Sequence, residues 1–160
     1  MPMRRDEIVK LVLSVALCEA VGILGSVFTI PAIGGWYAQL VKPSFSPPNW
    51  LFGPVWTLLY ALMGVSLFLV WRAEGKKKGV RYAVLVFGMQ LVLNFLWSVA
   101  FFGLHFPLLG VIAIIALWVA IFLTILEFRN ISTNASLLLI PYIVWVSFAA
   151  LLNFYIFILN

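Results

Sequence analysis

The feature that most constrains this chain is a set of five long apolar runs separated by short polar or proline-containing connectors. Each run is near or above the roughly 20 residues that an α-helix needs to cross a bilayer core. Only 9% of the residues are charged and 65% are hydrophobic, whereas soluble domains carry about 25% charged residues. We therefore expect an all-α membrane protein, with one domain over residues 1–160 and five transmembrane helices at about 8–31, 51–71, 81–103, 108–128 and 135–158.

The basic residues predict how the bundle is oriented. With five spans, the N-terminus and the second and fourth connectors share one side, and this side holds nine of the ten Lys and Arg residues. The other side holds only Lys42. This asymmetry predicts a multi-pass protein of the cell membrane with a cytoplasmic N-terminus, and with the C-terminus and the 32–50 loop outside. Because the cations cluster at helix ends, we expect a lipid bilayer and no nucleic acid as partner.

The first span could be mistaken for a secretion signal, because basic residues precede it. It is too long for the hydrophobic region of such a signal and contains Glu19. We expect it to be retained as a helix.

The loop at residues 32–50 is the only long connector on the predicted outer side. It is dense in Pro and aromatic residues, and each Pro restricts its own backbone and the residue before it. A long, stiff loop in a compact domain is more often a functional lid than filler. We expect it to close a pocket inside the bundle.

Catalytic and metal-binding patterns are absent from the sequence. There are one His and one Cys, no paired carboxylates at helical spacing inside a span, and no phosphate loop. We interpret His105 as a turn residue and Cys18 as a buried, inert thiol. No metal site and no required cofactor are expected.

Polar and aromatic residues recur at helical spacing within the spans. Because amides are costly in hydrocarbon, these faces should point inward. They could serve as interhelical hydrogen bonds, worth about 0.6 kcal/mol each, or line a ligand pocket; spacing alone leaves both open. The faces contain Val15, Glu19, Gly22 and Ser26; Trp56, Tyr60, Gly64 and Trp71; Gln90, Asn94, Trp97, Ser98 and Phe101; and Tyr142, Trp145, Ala149 and Asn153.

Glu19 is the one carboxylate near the middle of a predicted span. An ionised carboxylate is costly there, so Glu19 should be protonated or paired. It could hydrogen-bond an amide or hydroxyl, reach the backbone of Gly22 and Gly25, or act as a proton site. These alternatives stay open.

Several ordered motifs together resemble one known family. They are Trp36-Tyr37, Lys42-Pro43-Ser44, Pro47-Pro48-Asn49-Trp50, Gly53-Pro54-Val55-Trp56 and Leu59-Tyr60, followed by Leu93-Asn94-x-x-Trp97, Phe101-Phe102-Gly103, Pro141-Tyr142-x-x-Trp145 and Leu152-Asn153. This set resembles the TspO/MBR family, which contains bacterial tryptophan-rich sensory proteins and the mitochondrial translocator protein (peripheral benzodiazepine receptor). The resemblance covers nearly the whole chain.

The resemblance implies a five-helix bundle, usually a homodimer, with a ligand pocket near the first loop. Family members bind porphyrins such as protoporphyrin IX and haem, benzodiazepine-site ligands and, in animals, cholesterol. Trp56 and Trp145 match two residues linked to light-dependent porphyrin degradation, and Ala149 matches a small position that affects ligand and sterol binding. By position, the implied ligand-binding residues are Trp36, Tyr37, Pro47, Trp56, Tyr60, Asn94, Trp97, Ser98, Trp145, Phe148 and Ala149.

The sequence departs from the family's sterol motif at its C-terminal end. No basic residue follows Tyr155, and the Tyr is displaced by one position. Cholesterol is therefore not the expected ligand. A scarcity of His and Cys argues against axial ligation of haem and favours a macrocycle held by stacking.

Three functions follow as hypotheses. The first is a porphyrin-binding protein in sensing, stress response or transport. The second is an enzyme that degrades porphyrin in light through Trp56 and Trp145. The third is a membrane scaffold that regulates a partner protein.

Overall fold

The computed structural model describes residues 4–160, and every regular element in this range is helical. Five helical segments are long and apolar enough to cross a membrane, at Arg5–Gly34, Asn49–Trp71, Val80–Gly103, Pro107–Ile131 and Thr133–Leu159. The predicted all-α bundle of five spans is confirmed. The helices are α1 (Arg5–Gly34), α2 (Trp36–Gln39), α3 (Phe52–Trp71), α4 (Val80–Ser98), α5 (Pro107–Ile131), α6 (Thr133–Leu138) and α7 (Ile140–Leu159).

The first helix is longer than its predicted boundary at Pro31. It continues to Gly34, and the Gly35 amide still donates to the carbonyl oxygens of Pro31 and Ala32, both at 3.2 Å. Ala32 is 4% exposed and Ile33 packs against the core. Because these side chains gain apolar contact by staying helical, tertiary packing outweighs the break that Pro usually causes.

Two glycines allow α1 and α3 to pack closely. A Cβ added at Gly64 would lie 2.5 Å from the Cα of Val15. A Cβ added at Gly22 would collide with the ring of Tyr60. Small residues at such crossings bring helix backbones together in membrane bundles. The predicted inward faces of the first two spans therefore meet each other.

The end of the third span is not regular α-helix. Residues Val99–Gly103 form a π-helical turn, in which the Leu104 amide donates to the Val99 carbonyl oxygen at 2.8 Å. His105 then adopts a positive φ of 53°, and Pro107 starts α5. The turn carries Phe101, which packs so closely on Gly110 that a Cβ there would lie 2.5 Å from its ring. The wide turn thus aims aromatic side chains beneath the first connector.

The fourth connector is shorter than predicted. Residues 129–134 were expected to be a polar loop, but α5 runs to Ile131 and α6 begins at Thr133. The Ser132 hydroxyl accepts from the Ala135 amide at 3.3 Å, so Ser132 caps α6. The Ser66 hydroxyl also donates to the Ala135 carbonyl oxygen at 2.7 Å, which ties α6 to α3.

The connector between α1 and α3 is partly helical. It contains α2, a non-helical stretch at residues 40–48 and a 3-10 turn at Asn49–Leu51. The Lys42 ammonium donates to the carbonyl oxygens of Tyr37 at 2.9 Å and Leu40 at 3.1 Å. The amide of Asn160 bonds both backbone groups of Val41, each at 3.0 Å. The connector is therefore fastened at both its first helix and the C-terminus.

Candidate functional site

A cavity of about 490 Å³ lies between α1, α3 and the end of α4. Ligand sites typically occupy about 300–1,000 Å³. We call it the tryptophan cavity. Its aromatic lining is Trp50, Phe52, Trp56, Tyr60, Trp97 and Phe102, and its polar lining is Glu19, Ser26, Thr29, Asn49, Thr57 and Ser98.

Trp56 is at the centre of the aromatic wall. Its ring centroid lies 5.7 Å from that of Tyr60, 5.7 Å from that of Trp97 and 6.3 Å from that of Tyr142. Trp97 in turn stacks on Phe101, with 17° between their planes. The wall can therefore offer indole and phenol surfaces to a flat apolar ligand.

A buried hydrogen-bond network holds this wall from behind. The Tyr60 hydroxyl donates to Asn94 Oδ1, and Asn94 Nδ2 donates to the Tyr142 hydroxyl at 2.8 Å. The Tyr142 hydroxyl donates to Gln90 Oε1 at 3.0 Å. Asn94 and Gln90 are no more than 1% exposed. Their amides therefore join three helices, as interhelical hydrogen bonds do.

Trp97 is fixed by a separate bond to the last helix. Its indole N–H donates to Asn153 Oδ1 at 3.1 Å, and Asn153 Nδ2 donates to the Ala149 carbonyl oxygen at 3.0 Å. Tyr60 and Trp97, the two rings that flank Trp56, are thus oriented by hydrogen bonds to other helices. These bonds reduce the rotamer freedom that a ligand would have to restrict.

Polar groups of α1 form the opposite side of the cavity. The Ser26 hydroxyl donates to the Ile23 carbonyl oxygen at 2.7 Å, and the Thr29 hydroxyl donates to the Gly25 carbonyl oxygen at 3.2 Å. Both hydroxyl oxygens therefore remain able to accept a hydrogen bond. Glu19 is half-buried and lies deepest in the span. Within residues 4–160 its carboxyl group has no hydrogen-bond or salt-bridge partner, so neither an amide, nor a hydroxyl group, nor the backbone of Gly22 and Gly25 satisfies it.

The first part of the connector, α2, packs over the end of α4 rather than into the cavity. Trp36 stacks on His105 with centroids 4.7 Å apart and meets Phe101 edge-on at 5.5 Å. Tyr37 lies 5.9 Å from Phe102. Burial raises the pKa of Tyr37 to about 12, and its hydroxyl has no hydrogen-bond partner in the described chain. The predicted lid residues Trp36 and Tyr37 thus cover the aromatic turn that ends the cavity wall.

Trp145 belongs to a second aromatic group on α7. Its ring lies 5.6 Å from that of Phe148 and 6.2 Å from that of Phe52. Phe148 continues to Phe45 of the connector at 6.2 Å. Phe52 also lines the cavity, so this second group touches the cavity through Phe52. The indole nitrogen of Trp145 is buried without a partner among residues 4–160.

The predicted site residues fall into four places. Trp56, Tyr60, Trp97 and Ser98, together with Glu19, line the tryptophan cavity. Asn94 lies in the network behind it. The connector holds Trp36, Tyr37 and Pro47, whereas Trp145, Phe148 and Ala149 lie on α7 beyond Phe52. Ligand contact by each of these residues stays a prediction.

Some cavity residues were not among the predicted ligand-binding residues. Phe52 is one turn before Trp56, so extending the face of Trp56 and Tyr60 by four residues would have found it. Thr29 likewise continues the α1 face beyond Ser26. Asn49 and Trp50 lie in the 3-10 turn, which no helical periodicity could place on the cavity.

Comparisons with known proteins agree on one family. A family model described as the TspO/MBR family matches residues 14–159. The chain is 49% identical to the tryptophan-rich protein TspO of Chlorobaculum tepidum over 154 residues, which is 96% of this chain and 98% of that protein. It is 50% identical to the protein of the same name from Archaeoglobus fulgidus over 153 residues, 96% of this chain and 98% of that one. Its identity to the human translocator protein is 38% over 121 residues, 74% of this chain and 71% of that protein.

Proposed function

Because this chain belongs to the TspO/MBR family, we propose that it is a membrane protein that binds a tetrapyrrole in the tryptophan cavity. The main support for the proposal is the wall of Trp56, Tyr60 and Trp97. The Trp56 ring centroid lies 5.7 Å from that of Tyr60 and 5.7 Å from that of Trp97. Offset stacking on such a wall suits a rigid, flat macrocycle, which loses little conformational freedom on binding.

The polar groups of the cavity suit a free-base porphyrin such as protoporphyrin IX. The Glu19 carboxyl group and the hydroxyl oxygens of Ser26 and Thr29 place polar groups on the α1 side of the cavity, opposite the aromatic wall. The porphyrin propionates fit the end with Asn49, which is nearest the aqueous side of the span. The lining residues among positions 4–160 include no His or Cys, so haem would be held by the same stacking without an axial ligand.

The role of such binding is sensing, stress response or transport of porphyrins. The connector fits a closing element, because its Lys42 and Val41 are bonded to α2 and to Asn160. We propose the orientation of the basic residues on the cytoplasmic side, with the connector and C-terminus outside, in the cell membrane. A homodimer is the proposed assembly, and cholesterol is not proposed as a ligand.

A titration with protoporphyrin IX in the dark tests this function. Saturable growth of a shifted Soret band is expected for the purified protein. Trp56→Leu removes a stacking face worth about 0.5–1.5 kcal/mol, so its Kd should rise up to roughly tenfold. Trp118→Leu is the matched control, because Trp118 lies on α5 and does not line the described cavity. Its indole N–H donates to the Ser147 hydroxyl at 2.8 Å. Equal affinities in the two variants would count against binding at this site.

A light-dependent enzyme is the second candidate. It is favoured because Trp56 and Phe52 both line the cavity, and the Phe52 ring lies 6.2 Å from that of Trp145. Illumination should bleach bound protoporphyrin, and Trp56→Phe or Trp145→Phe should stop the bleaching while binding persists. Pigment that survives illumination in the wild-type protein would leave binding alone. A chain that binds no porphyrin in lipid would instead favour a scaffold acting on a partner.

A further inference from the structure

A second cavity, of about 660 Å³, lies at the other end of the bundle. It is formed by the first turns of α1, the connector at residues 72–79 and the first turn of α4. We call it the basic cavity. Its lining residues are Lys10, Glu74, Gly75, Lys77, Gly79, Val80, Arg81 and Tyr82.

Three cations from three different elements face this cavity. Lys10 comes from α1, with its ammonium 5.3 Å from the centroid of Trp71. Lys77 comes from the connector and donates to the Ile131 carbonyl oxygen at 2.6 Å. Arg81 comes from α4, and its side chain is 92% exposed. Convergence of cations from separate segments differs from a run of lysines along one loop, because folding is needed to assemble it.

Glu74 is the one acidic residue among the described residues that line this cavity. Its carboxylate accepts from the Trp71 indole at 3.1 Å and lies 3.7 Å from Arg81 Nε. A single carboxylate therefore faces three cations, and an incoming anion would compete with it for Arg81.

The backbone adds to the positive potential. Gly79 precedes α4 with a φ of +82° and no side chain caps the helix. The first-turn amides of Val80, Arg81 and Tyr82 belong to residues that line the cavity. Free amides at a helix start carry a partial positive charge, which supplements the cations without defining the site alone.

We propose that the basic cavity binds a phosphate group, supplied by an anionic phospholipid headgroup. Lys10 and Arg81 pair with the phosphate oxygens. Lys77 adds a third positive charge beside the phosphate while its ammonium keeps its hydrogen bond to the Ile131 carbonyl oxygen. The cavity lies at helix ends, where headgroups of a bilayer are found, and basic pockets between transmembrane helices suit such groups. Free phosphate shares this chemistry, so the experiment separates the two sources.

The test uses the full chain purified in a neutral detergent. Its thermal unfolding midpoint is followed while short-chain phosphatidylglycerol, short-chain phosphatidylcholine or inorganic phosphate is added separately. Native mass spectrometry counts the lipids that remain bound. We expect phosphatidylglycerol to raise the midpoint saturably and phosphatidylcholine to have little effect.

Two double variants of equal charge provide the control. Lys10→Gln with Arg81→Gln removes two cavity cations and should weaken phosphatidylglycerol binding roughly 30-fold. Lys76→Gln with Lys78→Gln removes two connector cations outside the lining and should weaken it less than about threefold. A diffuse attraction to the basic end of the protein would weaken both equally, and that result would overturn the proposal.

Glu74→Gln gives a test that does not depend on losing a cation. It removes the competing charge but can still accept from the Trp71 indole, so phosphatidylglycerol should bind several-fold more tightly. Unchanged affinity, or equal effects of phosphatidylcholine and phosphatidylglycerol, would refute the site. If inorganic phosphate reproduces the whole pattern at similar concentration, the phosphate site stands and its ligand is the free anion.

Discussion

Substituting three cavity glycines with Ala tests whether the α1–α3 contact shapes the binding wall. Gly22, Gly25 and Gly53 all line the tryptophan cavity, yet an added methyl group meets different surroundings at each. At Gly22 it collides with the Tyr60 ring; at Gly25 it lies 3.2 Å from Ser98 Oγ; at Gly53 nothing lies within 4 Å. The three variants therefore form a graded series with the same chemical change.

The Gly22 variant should be the most disruptive. The Tyr60 ring cannot simply turn away, because its hydroxyl bonds Asn94 and its face packs on Trp56. Either α1 shifts or the ring leaves the wall, and overpacking of this kind costs about 1–3 kcal/mol. Replacing Gly in a helix regains roughly 0.5–1 kcal/mol. A net loss of up to about 2.5 kcal/mol is expected at Gly22, and no loss at Gly53.

Thermal unfolding in detergent and dark titration with protoporphyrin IX measure the two consequences. We expect the order Gly22→Ala, Gly25→Ala, Gly53→Ala, from most to least affected, in both. Affinity for the Gly22 variant should fall up to roughly tenfold, since the displaced ring breaks the stacking surface. A Gly22→Ala protein as stable and as tightly binding as Gly53→Ala would refute the close α1–α3 contact.

Three further predictions follow from single contacts. Tyr142→Phe leaves Gln90 and Asn94 each without one hydrogen-bond partner and should lower the unfolding free energy by about 0.6–1.7 kcal/mol. Tyr155→Phe, which changes an exposed side chain, is the control. An unchanged unfolding free energy for Tyr142→Phe would mean that the network does not stabilise the fold. Asn160→Ala removes both hydrogen bonds to Val41. In stopped-flow measurements it should raise the rate constant of porphyrin release by a larger factor than it lowers the rate constant of binding. An unchanged release rate would argue against a closing role for the connector. Burial raises the pKa of Tyr37 to about 12, from about 10 in the unfolded chain. The unfolded state therefore loses its proton first, and the free energy of unfolding should fall as pH rises from 10 to 12. Tyr37→Phe should flatten that dependence, and identical pH profiles of stability for the two proteins would contradict it.

The spans were predictable because hydropathy depends on residue type alone. The helix boundaries that were missed depend on tertiary packing. Pro31 is tolerated inside α1 because Ala32 and Ile33 gain contacts that only the folded bundle provides. The π-helical turn at Val99–Gly103 has no Pro or Gly signal at its start, so its wider hydrogen bonding could not be anticipated from composition.

The site was predictable to the level of helix faces. Periodicity placed Trp56 and Tyr60 on one face and Asn94 and Trp97 on another, and these faces meet in the structure. Spacing could not tell which polar groups bond each other and which remain free to face a ligand. That choice depends on rotamers and helix rotation, which set Asn94 behind the wall and left Glu19 on the cavity.

The most direct measurement is an experimental structure of the chain with protoporphyrin IX bound in lipid. We expect the macrocycle to stack on Trp56 and Trp97, between α1 and α3, with its propionates toward Asn49. A macrocycle found against Trp145 and Phe148 on α7, or on the outer surface of the bundle, would contradict this prediction.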